Sequence, residues 1–150
     1  MLVRLLRVLS DTPLFRRVKP PQNQREIIGW WEARRIPYNL FVGGAGVLAS
    51  IVILATGFIT EHFTGEAIGI PDPPLFAVLA VMAYGVMANV CFTGGWILEL
   101  ISRRVWNERA DAFGEIAFMW GTLGSMVLTL LPAAVIVVFG IIRILYPAGH

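Results

Sequence analysis

The side chains able to do chemistry are few, and they gather in three places along the chain. Trp30, Trp31, Glu32, Arg34 and Arg35, followed closely by Tyr38 and Asn39, form the first group. Asn89, Thr93, Trp96, Glu99 and Arg103 form the second, and Glu115 stands alone as the third. At about 100° per residue, Gly85, Asn89, Thr93, Trp96, Glu99 and Arg103 share one stripe of a helix. A carboxylate in such a stripe needs a cation or water, because a lone buried charge is strongly disfavoured. Glu99 and Arg103 are spaced i,i+4 and should pair locally. Arg34 or Arg35 is expected to meet Glu115 through the tertiary fold. The chemistry open to these residues is ion pairing, hydrogen bonding and contact with a partner or a lipid headgroup.

Catalysis is the weakest reading. Histidine is the usual proton shuttle at neutral pH, and the two present, His62 and His150, lie far in sequence from this cluster. His62 with Glu61 and Glu66 offers one imidazole and two carboxylates, a poor metal set. Cys91 falls in an apolar run, where a thiol is inert, and a single cysteine builds no internal disulfide framework. Gly43, Gly44 and Gly46 precede no Lys-Ser/Thr pair and so do not form a phosphate-binding loop. No catalytic, cofactor or metal residue is assigned.

The elements that must position these groups are long and apolar. Of 150 residues, 57% are hydrophobic and 15% charged, against about 45–50% and about 25% in soluble domains. The run Tyr38 to Thr60 carries no charge and, at about 1.5 Å per residue, crosses a hydrocarbon core of about 30 Å. A second run, Leu75 to Leu100, follows the punctuation Pro71-Asp72-Pro73-Pro74, which marks a helix start because proline in a first turn forfeits no internal hydrogen bond. The third, Ile116 to Ile142, contains Pro132 and should tilt, kink or project beyond the bilayer. On the first run Gly46 and Ser50, like Ala45 and Ala49, are small pairs that permit close helix approach. Glu115, Phe118, Thr122, Ser125 and Thr129 form a stripe on the third, and the three stripes should converge on a common seam.

Orientation follows from the cations. The formal net charge is only +2, so charge implies no nucleic-acid partner. Eight of the twelve Lys and Arg residues precede Tyr38, and Arg103, Arg104 and Arg109 lie between the second and third runs. Glu61 to Pro74 carries acids and no cation. The positive-inside rule then places the N-terminus in the cytoplasm and the C-terminus outside, with Arg143 snorkelling to the far interface.

The N-terminal third, residues 1–36, is too interrupted to span. Leu2, Leu5, Leu6 and Leu9 recur at helical spacing with Arg4 and Arg7 on another face, as in a helix lying in the interface. The arginines interrupt this stretch and no small-residue cleavage site follows, so it is expected to be retained rather than removed as a signal peptide. Asn23 to Ile36 should form a second interfacial helix, with Asn23 as N-cap, Glu26 three residues on, and Ile27, Trp30 and Trp31 on one apolar face. Pro37 disfavours the α conformation at Ile36, so the chain is expected to turn there from lying flat to crossing. The fold class predicted is an all-α integral membrane protein: a 37–150 domain of three transmembrane helices preceded by amphipathic interfacial helices.

Trp30-Trp31-Glu32-Ala33-Arg34-Arg35 with Tyr38-Asn39 resembles a signature of uncharacterised small bacterial inner-membrane proteins. Ala88-Asn89-Val90-Cys91-Phe92-Thr93-Gly94-Gly95-Trp96 with Glu99 looks like the second motif of that group, with Phe92 where a tyrosine is expected. The resemblance covers under a third of the chain and implies topology and a bacterial inner-membrane location, with no reaction. Arginine outnumbers lysine eleven to one, a composition in keeping with a GC-rich bacterial genome. The function expected is a non-enzymatic subunit or scaffold of a homo- or hetero-oligomeric membrane complex. Its expected partners are the bilayer, copies of itself or another membrane protein, and anionic lipid headgroups at the basic N-terminal segment. One alternative is an oligomeric channel or transporter subunit whose path is lined by the Asn89 and Glu99 stripe. Another is a lipid-binding protein that uses Trp30, Trp31, Arg34 and Arg35.

Overall fold

The computed structural model describes residues 12, 14–17, 19–65, 74–106 and 112–146, with only the backbone at 74–77. Three helices account for most of them: α1, Gln24–Thr64; α2, Pro74–Trp106; and α3, Phe113–Leu145. No strand occurs among the described residues. All three helices are long and apolar enough to cross a membrane, and the protein is an all-α integral membrane protein. Large apolar side chains lie exposed along every one of them, Phe58, Val81 and Leu128 among them, as lipid-facing surfaces require. The expected helix over Leu2 to Leu9, the acids Glu66 and Asp72, Arg109 and His150 lie outside the described residues.

The beginning of α1 follows its sequence signals. The Asn23 side-chain oxygen accepts the Glu26 backbone N–H at 2.9 Å. The Glu26 carboxylate accepts in return from the Gln22 backbone N–H at 2.8 Å and the Asn23 amide at 3.0 Å. These bonds satisfy donors that a helix start otherwise leaves open. α2 begins at Pro74, where proline costs nothing.

The turn expected at Pro37 is absent. One 41-residue helix runs through this proline, so the segment before it and the first span are continuous. Proline inside a helix costs about 3 kcal/mol through its lost hydrogen bond and a ring clash. Packing on both sides of the proline outweighs that cost. Trp31 and Tyr38 flank Pro37 and both lie against Phe92 of α2, with ring centroids 5.4 and 4.8 Å away, and both are buried. A bend would separate one of them from that ring. α3 likewise continues through Pro132.

The chain divides into two compact units. The first draws on Met1–Leu40 and Val86–Gly124, the second on Phe41–Gly85 and Ser125–His150. The core of the first is aromatic: Phe118, 1% exposed, has Phe15, Trp30, Trp31 and Phe92 around it at centroid distances of 5.4 to 6.2 Å. Three of these pairs are edge-to-face, the arrangement that the ring quadrupole favours.

The second unit is held by small residues and hydroxyls. Ala45 and Ala49 are buried, and a Cβ on Gly46 would lie 3.7 Å from the Thr129 methyl. The Tyr84 hydroxyl shares a 2.6 Å hydrogen bond with Thr129 Oγ1 and lies 3.1 Å from the Ser125 carbonyl. Ser50, Thr56 and Thr129 each donate to the carbonyl four residues back, which satisfies a hydroxyl without a partner helix. Gly46→Ala should therefore change stability by less than about 0.5 kcal/mol, whereas Gly46→Leu should cost about 1–3 kcal/mol by overpacking against Thr129. Thermal unfolding of the two variants in detergent checks the contrast.

Candidate functional site

All thirteen polar and aromatic residues singled out from sequence, Trp30 to Asn39, Asn89 to Arg103 and Glu115, fall in the first unit. The packing that gathers them begins with two glycines. A Cβ on Gly95 would stand 2.6 Å from the Trp31 ring, so only glycine lets the indole pack this closely against α2. At Gly114 of α3 a Cβ would occupy the place of the Glu99 carboxylate and come within 3.0 Å of Arg17 Nη2.

Glu99 is the centre. Its side chain is wholly buried, and each carboxylate oxygen accepts two donors. Arg17 forms a two-pronged pair, with Nη1 on Oε1 and Nη2 on Oε2 at 2.8 Å. The Trp31 indole N–H donates to Oε2 at 2.8 Å, and Arg103 Nε donates to Oε1 at 3.0 Å. Parallel guanidinium-to-carboxylate bonds are among the strongest that side chains make, and two cations on one acid offset its desolvation. The i,i+4 pairing of Glu99 with Arg103 is as expected; the dominant partner, Arg17, was not.

Arg17 lies in the segment that precedes α1 and is fixed there by several contacts. Phe15 and Arg16 donate backbone N–H groups to the Thr12 carbonyl at 3.0 and 3.1 Å, closing a turn. Phe15 enters the aromatic core. The Arg17 backbone N–H donates to Glu115 Oε1 at 2.6 Å, and its guanidinium lies 4.2 Å over the Trp30 ring. Arg34 stacks on Trp30 at 3.9 Å, donates to the Leu14 carbonyl and reaches the Trp30 carbonyl at 3.0 Å. Trp30 thus carries two guanidinium groups, each a cation–π contact. The segment is a strap tied down by one apolar side chain and two arginines.

A second network lies one helical turn or more further along α1. Arg35 pairs with Glu32 at 2.7 Å and donates to Asn89 Oδ1 and Thr93 Oγ1, both at 3.2 Å. Its guanidinium is also 4.9 Å from the Phe92 ring. Asn39 and Asn89 exchange amide hydrogen bonds at 3.3 and 3.0 Å, and the Tyr38 hydroxyl donates to the Ala88 carbonyl at 3.2 Å. Asn89, Thr93 and Glu99 of the stripe read from sequence on α2 therefore meet side chains of α1. Glu115, expected to meet Arg34 or Arg35, accepts the Arg17 backbone N–H and interacts electrostatically with Arg34. Trp96 keeps a buried indole N–H without a partner among the described residues, as does Trp30.

Comparison with protein families, curated proteins and solved structures finds no match to the chain.

Arg17 and the two glycines are the residues that sequence reasoning missed. A signal did exist: one i,i+4 arginine is too little for a fully buried carboxylate, so a further cation had to come from elsewhere.

Removing Glu99 leaves the Arg17 charge buried without its acid. Glu99→Ala should therefore cost about 3–5 kcal/mol, read as lost thermal stability. It should also open the strap, read as new protease cleavage between residues 12 and 23. Gly114→Ala should open the same strap with Glu99 intact, by displacing the carboxylate from Arg17.

Proposed function

We propose that the chain is a non-enzymatic subunit or scaffold of a membrane assembly in a bacterial inner membrane. Its N-terminus is cytoplasmic and its C-terminus outside. The observation that carries this reading is how the polar groups in the helices are used. Arg17, Trp31, Arg35, Asn39, Asn89, Thr93, Glu99 and Arg103 bond to one another within a single chain. A transport path would need Asn89, Thr93 and Glu99 to face water, yet Glu99 has no exposed side-chain surface. The same side chains also lack the pairing that chemistry needs, since neither of the segments that supply them contains a histidine and every carboxylate of the cluster is engaged by a cation or a backbone N–H.

What remains for interaction is the outer face. Several glycines of the spans, including Gly43, Gly44, Gly94, Gly121 and Gly124, have open space where a Cβ would be. Small residues on a lipid-facing surface let a neighbouring helix backbone approach closely. The strap adds a fixed basic rim at one end. The orientation is supported by the cation distribution, and the bacterial inner-membrane location by the resemblance of the Trp30 to Asn39 and Ala88 to Glu99 segments to small proteins of that membrane.

Photo-crosslinking from Val90 and Gly121, both exposed, in native membranes followed by mass spectrometry tests the proposal. A discrete higher-mass adduct of fixed composition is the expected result, and recovery of monomer alone at native expression would sink it. Reconstituted vesicles dense in protein should stay tight to ions; a leak abolished by Asn89→Leu would establish transport in its place.

A further inference from the structure

The four residues that sequence reasoning offered to lipid are not free to take it. Trp31 donates to Glu99, Arg34 to the Leu14 and Trp30 carbonyls, and Arg35 to Glu32, Asn89 and Thr93. Trp30 is covered on its ring by two guanidinium groups. A different place in the same unit has the right chemistry.

An open groove of about 490 Å³ lies between the start of α1 and the last turns of α2, inside the roughly 300–1,000 Å³ range of ligand sites. One part is apolar, lined by Ile27, Leu100 and Ile101. Another is basic, lined by Arg103 and Arg104, with Gln24 of the first turn of α1 close by. Among the described residues no carboxylate lines it, and Glu26, next to Ile27 in sequence, is turned to the Gln22 N–H and the Asn23 amide. The positive end of the α1 dipole adds to the arginines. Arg103 is tethered to Glu99 through Nε, and exposed Arg104 has no ion-pair or hydrogen-bond partner among the described residues. Leu100 and Ile101 belong to the long apolar helix α2, and Arg103 and Arg104 stand in its last turn, so the groove changes from apolar to cationic where a span leaves the hydrocarbon.

We propose that this groove binds one anionic phospholipid. The headgroup phosphate lies against Arg104 and Arg103, and the upper acyl chain runs along Ile27, Leu100 and Ile101. Charge complementarity selects an anionic lipid over a zwitterionic one, and the apolar wall selects a lipid over a soluble phosphate ester. The site requires only that the chain spans a membrane and is independent of whether copies of it associate.

Native mass spectrometry of the full chain in non-ionic detergent tests this. The protein is titrated with phosphatidylglycerol, with phosphatidylcholine of the same acyl chains, and with phosphatidylglycerol in the presence of millimolar inorganic phosphate. One phosphatidylglycerol per chain should bind, roughly tenfold or more tighter than phosphatidylcholine and resistant to phosphate. Arg104→Gln should weaken it about fivefold, as expected for one interfacial cation. Gln24→Trp, which fills the groove and leaves the charge unchanged, should abolish it, and Arg25→Gln, outside the groove, should leave it unaltered. Equal binding of the two lipids would overturn the proposal, as would full displacement by phosphate. So would wild-type affinity in Arg104→Gln or Gln24→Trp, or an equal loss in Arg25→Gln.

Discussion

A carboxylate without solvent must be surrounded by donors, and the first unit of this protein is organised by that requirement at Glu99. Four donors reach its two oxygens from three parts of the chain: the segment before α1, α1 itself and α2. Each donor fixes something else. Trp31 can donate only because Gly95 lets its ring lie on α2. Arg17 can reach in only because Gly114 leaves room on α3. Once Arg17 is held, its backbone N–H meets Glu115, and Phe15 two residues earlier enters the aromatic core. The strap, the two glycines and the course of α1 are thus one solution to one buried charge.

The ion pair is not what makes this unit stable. Bringing a carboxylate and two guanidinium groups out of water costs several kcal/mol per ion, and pairing roughly recovers it. Net stabilisation comes from the rings around Phe118, each pair adding about 0.5–1.5 kcal/mol beyond its buried area. The charges supply specificity instead. An apolar strap could settle on the aromatic core in many registers, whereas a two-pronged guanidinium pair with a fixed carboxylate admits one. The same logic holds for Asn39 and Asn89, whose reciprocal amide bonds are satisfied only when α1 and α2 are in one axial register.

The parts of this arrangement that were legible in the sequence are those set by local rules. The apolar runs located all three spans, Asn23 with Glu26 marked the start of α1, and Pro74 marked the start of α2. Helical periodicity placed Asn89, Thr93, Glu99 and Arg103 on one face because that periodicity belongs to the helix alone. Two things escaped. Pro37 was weighed by its local preference, while the outcome depended on Trp31 and Tyr38 sharing one ring 54 to 61 residues away. Arg17 is 82 positions from Glu99, in a segment with no periodicity to give it a direction. Its role follows from charge balance across the fold rather than from any neighbour in sequence.

That balance also decides what the surface presents. Arg17 and Arg103 are taken by Glu99, and Arg35 by Glu32. Arg34 is turned inward onto Trp30 and two carbonyls. Arg16, Lys19, Arg25 and Arg104 remain exposed at this end. The arginines nearest the tryptophans look most like a lipid-binding signature in the sequence, yet their planar forks are what the interior needs. A guanidinium can stack on a ring and donate in several directions at once, and an ammonium cannot. The eleven-to-one excess of arginine over lysine therefore has a structural use in this chain: the cations spent inside must satisfy several acceptors each, and those left outside need only be charged.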